Sequence, residues 1–229
     1  MTPEDYYRLV EPTMVDGIRK VSATLYIAGF STSAYGVDIP DTHDVWRMNV
    51  PSPGLRATTF FQLHDRGTLK RDWNRGYGLT IKELRALNCP VCVWSPDDWK
   101  DVRNTVKFPR KKIEALTTRG KYHQSSFDWM LCLAIHMKYK RVVLYGVDFG
   151  PWDGAEPMSG RACLEYWVGV AEERGVLVQV REPTSLFKTI NYVRSDFAYG
   201  DPDFRHIYNL TSESLKAVSK KQKPVWHED

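Results

Sequence analysis

Arg141-Val142-Val143-Leu144-Tyr145-Gly146-Val147-Asp148-Phe149 is the stretch on which the fold turns. Residues 141–147 form an apolar run without polar alternation, the pattern of a strand covered by helices on both faces of a parallel sheet. Upstream, Ser125 with Asp128 forms a capping-box pattern, followed by Phe127, Met130, Leu131, Ala134 and Ile135 at helical spacing. Downstream, Leu164, Trp167, Val168 and Ala171 share one face of a second helix, Gly175 supplies a left-handed stop, and Val176–Val180 reads as the next strand. Ligands of open α/β sheets sit at the carboxyl ends of such strands, where helix amino termini gather. Gly146-Val147-Asp148 presents a carboxylate at such a place.

The amino-terminal half repeats the rhythm. Strands are predicted at Thr24–Gly29, Val45–Met48, Thr58–Leu63 and Val91–Trp94, with a helix capped by Thr80 and Glu83 before the last. Residues 96–124 are polar and proline-punctuated, a connecting or lid segment, and residues 216–229 read as a tail. The expectation is an α/β, Rossmann-like fold. It has a mostly parallel sheet with helices on both faces and a small lid, all in one nucleotide-binding domain over residues 1–229.

Composition narrows the class. With 42% hydrophobic and 26% charged residues, the chain has ordinary globular balance, and no apolar run reaches the ~18 residues that span a bilayer. The start, Met1-Thr2-Pro3-Glu4-Asp5, lacks a secretory pattern, so a cytoplasmic location is expected. Cys89, Cys92, Cys132 and Cys163 are too few and scattered for a disulfide framework. Cys89-Pro90-Val91-Cys92 has redox or metal spacing but no second pair, so buried core thiols are expected and no metal is called for. The net charge of +4 permits an anionic ligand without demanding one.

Several residues are candidates for chemistry. Gly29-Phe30-Ser31-Thr32-Ser33 follows the first strand, where a glycine admits a ligand to the backbone and hydroxyls suit phosphate oxygens. The stretch lacks both the G-x-G-x-x-G fingerprint and a P-loop lysine. Ser125 and Ser126 offer donors at a helix start, or simple capping. Asp148 either accepts from a sugar hydroxyl or caps its loop, and Asn49 stands at a similar strand end. Glu156 is a candidate general base, His64 a proton shuttle and Arg161 a counter-charge for a departing phosphate. Lys107, Arg110, Lys111, Lys112, Arg119 and Lys121 form a basic cluster fit for a diphosphate or a nucleic-acid backbone, or else a solvated loop. Asp201-Pro202-Asp203 has the D-x-D form of metal-dependent glycosyltransferases, a triplet that also arises by chance.

These blocks resemble the bacterial lipooligosaccharide sialyltransferase family and bacteriophage proteins built on the same plan. Ile27-Ala28-Gly29 and Val45-Trp46-Arg47-Met48-Asn49 are similar to its I-A-G-N and F-R-C-N elements. Ser125-Ser126, Gly146-Val147-Asp148-Phe149 and Pro183-Thr184-Ser185-Leu186 are similar to T-S-G, G-I-D-F and P-N-S-L, in the same order. The resemblance covers about two-thirds of the chain. It implies a glycosyltransferase using a nucleotide-sugar donor without bound metal or added cofactor. Gly29, Asn49, Ser126, Gly146 and Asp148 would then line the nucleotide site. Phe30 stands where the family has asparagine, Gly150 where it has the tyrosine that steadies the leaving phosphate, and Met158 where it has the catalytic histidine. The base must therefore be another residue, Glu156 first and His64 second.

The expected activity is transfer of a sugar from a nucleotide donor to an acceptor hydroxyl. A modified DNA base is one acceptor, if the chain is phage-encoded and works in the host cytoplasm. The rivals are a non-catalytic nucleotide-binding module, acting as sensor or sponge, and a DNA-binding accessory protein.

Overall fold

The computed structural model describes residues 9–29, 31, 34, 37–48, 56–74, 79–149, 155–181 and 184–187. By internal contacts the chain divides into Met1–Leu186 and Phe187–Asp229. The sheet and its covering helices belong to the first unit. Phe30, Asn49, Gly150, the 201–203 triplet and the 216–229 tail lie outside the described residues.

The strands are β1 (Leu9–Val15), β2 (Ile18–Ser22), β3 (Thr24–Ala28), β4 (Asp44–Met48), β5 (Thr59–Gln62), β6 (Val91–Val93), β7 (Thr105–Lys107), β8 (Arg141–Tyr145) and β9 (Leu177–Val180). The first two form an antiparallel hairpin whose Asp16-Gly17 corner has positive φ at both residues (51° and 81°), the geometry of a two-residue primed turn. The other seven make one parallel sheet in the order β7-β6-β5-β4-β3-β8-β9. The chain enters at β3, steps outward through β4 to β7, and returns to the opposite side of β3 as β8. The order reverses there, so the carboxyl ends of β3 and β8 define the topological switch point. This is the α/β, Rossmann-like class expected from the residues.

Among the described residues, five α-helices cover the sheet: α1 (Arg66–Asn74), α2 (Ile81–Ala86), α3 (Arg110–Glu114), α4 (Ser126–His136) and α5 (Ala155–Glu173). Alternation within β5 sends neighbouring rings to opposite faces. Phe61 packs with Trp46, Leu131, Leu144 and Trp167 under α4 and α5, whereas Phe60 packs with Leu69, Leu84 and Val91 under α1 and α2. Both predicted capping boxes form, Thr80–Glu83 on α2 and Ser125–Asp128 on α4. Gly175 follows α5 with φ +74°, the left-handed conformation that ends a helix.

Two stretches depart from expectation. Strand β8 stops at Tyr145 rather than Val147, because Gly146 turns to φ +62° and breaks the extended ladder. Segment 96–124 carries more structure than its polar composition indicates. It buries Trp99, Val102, Phe108 and Ile113 and adds β7 to the sheet edge. The four cysteines are buried and unbridged, and burial pushes the thiols of all four upward, which leaves little reactive thiolate.

Candidate functional site

The turns after β3 and β8 interlock. Gly29 donates to Tyr145 O (2.7 Å), Ser31 donates to Gly146 O (3.1 Å), and Ala34 donates to Ser31 O (3.0 Å). A Cβ on Gly29 would overlap Gly146 O and come within 2.6 Å of Phe127 Cζ. On Gly146 it would lie 2.7 Å from Ala34 Cβ, at a φ that side chains resist. Only glycine on both strands lets the two turns approach this closely.

Phe127 belongs to the first turn of α4, so the helix amino terminus abuts the switch point. Asp128 is fully buried there. Its Oδ2 accepts from Gln124 N (3.1 Å), Ser125 N (2.8 Å) and Ser125 Oγ (3.0 Å), and its Oδ1 faces His123 Nδ1 at 2.8 Å. The Ser125 hydroxyl is thus committed to the cap. The Ser126 and Phe127 amides begin the helix and have no place in its ladder. Ser126 itself is buried at the helix start.

Beyond β8, the Thr184–Leu186 segment locks onto the strand end. Thr184 Oγ1 donates to Val147 O (2.7 Å), Phe149 N donates to Ser185 Oγ (3.1 Å), and Ser185 N donates to Asp148 Oδ1 (3.1 Å). Asp148 therefore serves as a loop cap while its residue stays exposed. Helix α5 closes the same corner. Gly160 is so near Phe149 and Ser125 that a Cβ on it would lie 2.9 Å from Phe149 Cε1 and 3.5 Å from Ser125 Cβ.

Gly29, Ser31, Ser125, Ser126, Gly146 and Asp148 are thus brought to one edge of the sheet. Glu156 lies in the first turn of α5. Arg161, one residue past Gly160, pairs with Glu165 (2.8 Å) along the helix. His64 is half-buried two residues beyond β5, on the same sheet edge but two strands from β3. The basic cluster is divided: Arg110 pairs with Glu114 and Lys112 with Asp16, whereas Lys107, Lys111, Arg119 and Lys121 are exposed.

One further group, Gln62, does not stand out in the sequence, and the expected Ser31 shares its setting. Gln62, the last residue of β5, is 1% exposed, and both its amide atoms lack a hydrogen-bond partner among the described residues. Ser31 Oγ is likewise shielded and unpartnered. A buried polar atom left this way costs about 1–3 kcal/mol. Both belong to segments that follow or end a strand at its carboxyl side, where a ligand can satisfy them. A polar residue closing an apolar strand (Thr59-Phe60-Phe61-Gln62) is the available signal. Among the described residues, no group of three His, Cys, Asp or Glu side chains could hold a metal ion, and no helix is long and apolar enough to cross a membrane.

No family model matches the sequence, and no curated protein matches it either. Solved structures with a similar chain path include the Campylobacter jejuni sialyltransferase CstII in complex with cytidine-5'-monophosphate. It has 15% identity and a TM-score of 0.48, over 70% of this chain and 80% of that one. An α-2,3-sialyltransferase of the same organism in apo form has 16% identity and a TM-score of 0.47, over 74% and 79% of the two chains. Monomeric CstII has 15% identity and a TM-score of 0.45, over 77% and 97%.

Proposed function

We propose that the switch point binds the nucleotide of a sugar donor and that the protein is a nucleotide-sugar-dependent glycosyltransferase. One observation carries the reading. Two mutually contacting glycine turns lie against a helix amino terminus where the strand order reverses, the place at which open α/β sheets take their ligands. The motif order around Gly29, Ser125-Ser126, Gly146-Val147-Asp148-Phe149 and Thr184-Ser185-Leu186 supports a sugar donor over a dinucleotide.

In this reading the Ser126 and Phe127 amides meet the donor phosphate, and Ser31 Oγ and the Gln62 amide take donor hydroxyls. The acceptor oxygen attacks the anomeric carbon as the bond to the phosphate oxygen breaks. The acceptor proton passes to a base, and the nucleotide departs with the bonding pair. Glu156 is our first choice of base and His64 the second, with Arg161 set to offset departing charge. Incubation with a panel of nucleotide sugars, followed by assay of released nucleotide, tests this. Release abolished by Glu156→Gln or His64→Gln identifies the base. Binding without release supports the sensor or sponge, and neither binding nor release overturns the proposal.

The acceptor we would test after small oligosaccharides is DNA carrying a modified base. The exposed cations Lys107, Lys111, Arg119 and Lys121 favour an anionic polymer. Retention on DNA that falls steeply with salt supports that acceptor, and no retention at low salt excludes it.

A further inference from the structure

We propose that His123 is a positioning residue for the amino terminus of α4, acting through Asp128, and that it fixes the geometry in which that terminus meets a phosphate. The second half rests on the nucleotide reading above. The first half does not.

The imidazole lies between two indoles. It stacks on Trp129 at a centroid distance of 3.5 Å and 15°, and on Trp167 at 4.9 Å and 9°. Its side chain is 1% exposed, and that of Asp128 is 0% exposed. Nδ1 meets Asp128 Oδ1 at 2.8 Å, and Nε2 is buried without a partner among the described residues. The sandwich is fixed from α5 as well, because Trp167 Nε1 donates to Tyr122 O (2.7 Å), next to the histidine in sequence.

Asp128 links this ring to the helix start. One carboxylate oxygen faces His123, and the other gathers the amides of Gln124 and Ser125 and the cap hydroxyl. Rotation of the carboxylate would release all three donors together, and the imidazole opposes that rotation. A ring held by two stacks and one hydrogen bond has no freedom to follow a ligand, so its function is to hold its neighbours in place.

The test uses the full chain and His123→Phe, which keeps a ring between the tryptophans and removes the donor. Without ligand, hydrogen exchange at the Gln124 and Ser125 amides is expected to lose about tenfold protection in the variant. Unchanged protection overturns the positioning role. With cytidine-5'-monophosphate as probe, the variant should bind about tenfold more weakly than the wild type. Equal affinity overturns the link to the phosphate. If neither protein binds any of the common nucleoside monophosphates, the nucleotide reading fails and that link with it, while exchange alone decides positioning. Should the phenylalanine variant not fold, His123→Asn, which keeps an N–H donor on a flat group, decides. Protection within about threefold of the wild type supports the proposal, and a loss of about tenfold sinks it.

Discussion

Asp44 and Gln62 sit at opposite ends of the same sheet and are equally hidden, at 1% exposure each, yet the chain treats them in opposite ways. Asp44 opens β4 at the amino edge. Its Oδ2 accepts from Val21 N (2.9 Å), Ser22 N (3.2 Å) and Tyr139 OH (3.0 Å). Nearby, Lys20 Nζ donates to Met137 O (2.9 Å) and Lys138 O (2.8 Å), closing the carboxyl end of α4. Gln62 closes β5 at the carboxyl edge with neither amide atom satisfied. Buried polar groups that meet partners within the chain specify the fold. Those left wanting carry a standing cost, which a donor bound in the proposed site would relieve.

The sharpest way to break this contrast is Asp44→Ala. It leaves three donors buried without an acceptor and should cost about 3–5 kcal/mol in urea unfolding. A loss below about 1 kcal/mol would mean the network is ornamental. Its pH dependence has a definite sign. Burial holds the Asp44 carboxyl above its usual range, against the pull of its donors and of Lys20. The folded chain therefore keeps that proton more readily than the unfolded one. The stability linked to this group is greatest in acid and declines as pH rises from the ordinary carboxylate value through the raised one.

Next in size is Gly146→Ala, expected to cost roughly 2–4 kcal/mol from the left-handed φ and the approach to Ala34. Nucleotide binding should vanish with it, measured by calorimetry on protein shown to be folded. Gln62→Met sharpens the comparison from the other side. Replacing an unsatisfied amide with a thioether of similar shape should leave stability unchanged or raise it by about 1 kcal/mol, while donor affinity drops about tenfold. A clear loss of stability would show that Gln62 has a structural partner after all.

The smallest effect belongs to Asp101, which bridges Arg66 and Arg85 at 2.6 Å each, far from the switch point on the α1–α2 side. Hydrogen bonds from Arg66 and then Arg85 hold its carboxyl below the usual range. Its contribution is full above the ordinary carboxylate value and is lost as pH falls through the depressed one. Asp101→Asn should cost no more than about 1 kcal/mol at neutral pH, because the side chains are partly solvated, and it should flatten the acid limb of the stability profile.

Local chemistry makes much of this fold legible in the residues. The two capping boxes, the apolar strands at 24–28 and 141–145 and the Gly175 stop each depend on neighbours within a few residues. The hairpin β1–β2 escapes such a reading although Asp16-Gly17 is a strong turn signal, because Pro12 interrupts the first strand and its exposed residues mix Glu11 and Thr13 with Met14. Strand β7 is three residues long and owes its place to pairing with β6. Of the candidate site, Gly29, Ser126 and Gly146 are visible as turn chemistry. The stacked His123 is not, since one of its indoles comes from Trp167, 44 residues along the chain. Asp148 reads from its strand-end position chiefly as a ligand acceptor, but its bond to Ser185 depends on a return of the chain that periodicity does not encode.

The close approach of Gly29 and Gly146 has a consequence for anyone re-engineering specificity. Each backbone occupies the room that a side chain on the other would need, so the pair behaves as one part cut into two pieces of sequence. A chimera that imports either loop from a homologue, without its counterpart, would bring two surfaces that were never fitted together. Exchanging both as a matched set keeps the seam intact and confines any change in preference to the residues that face outward from it.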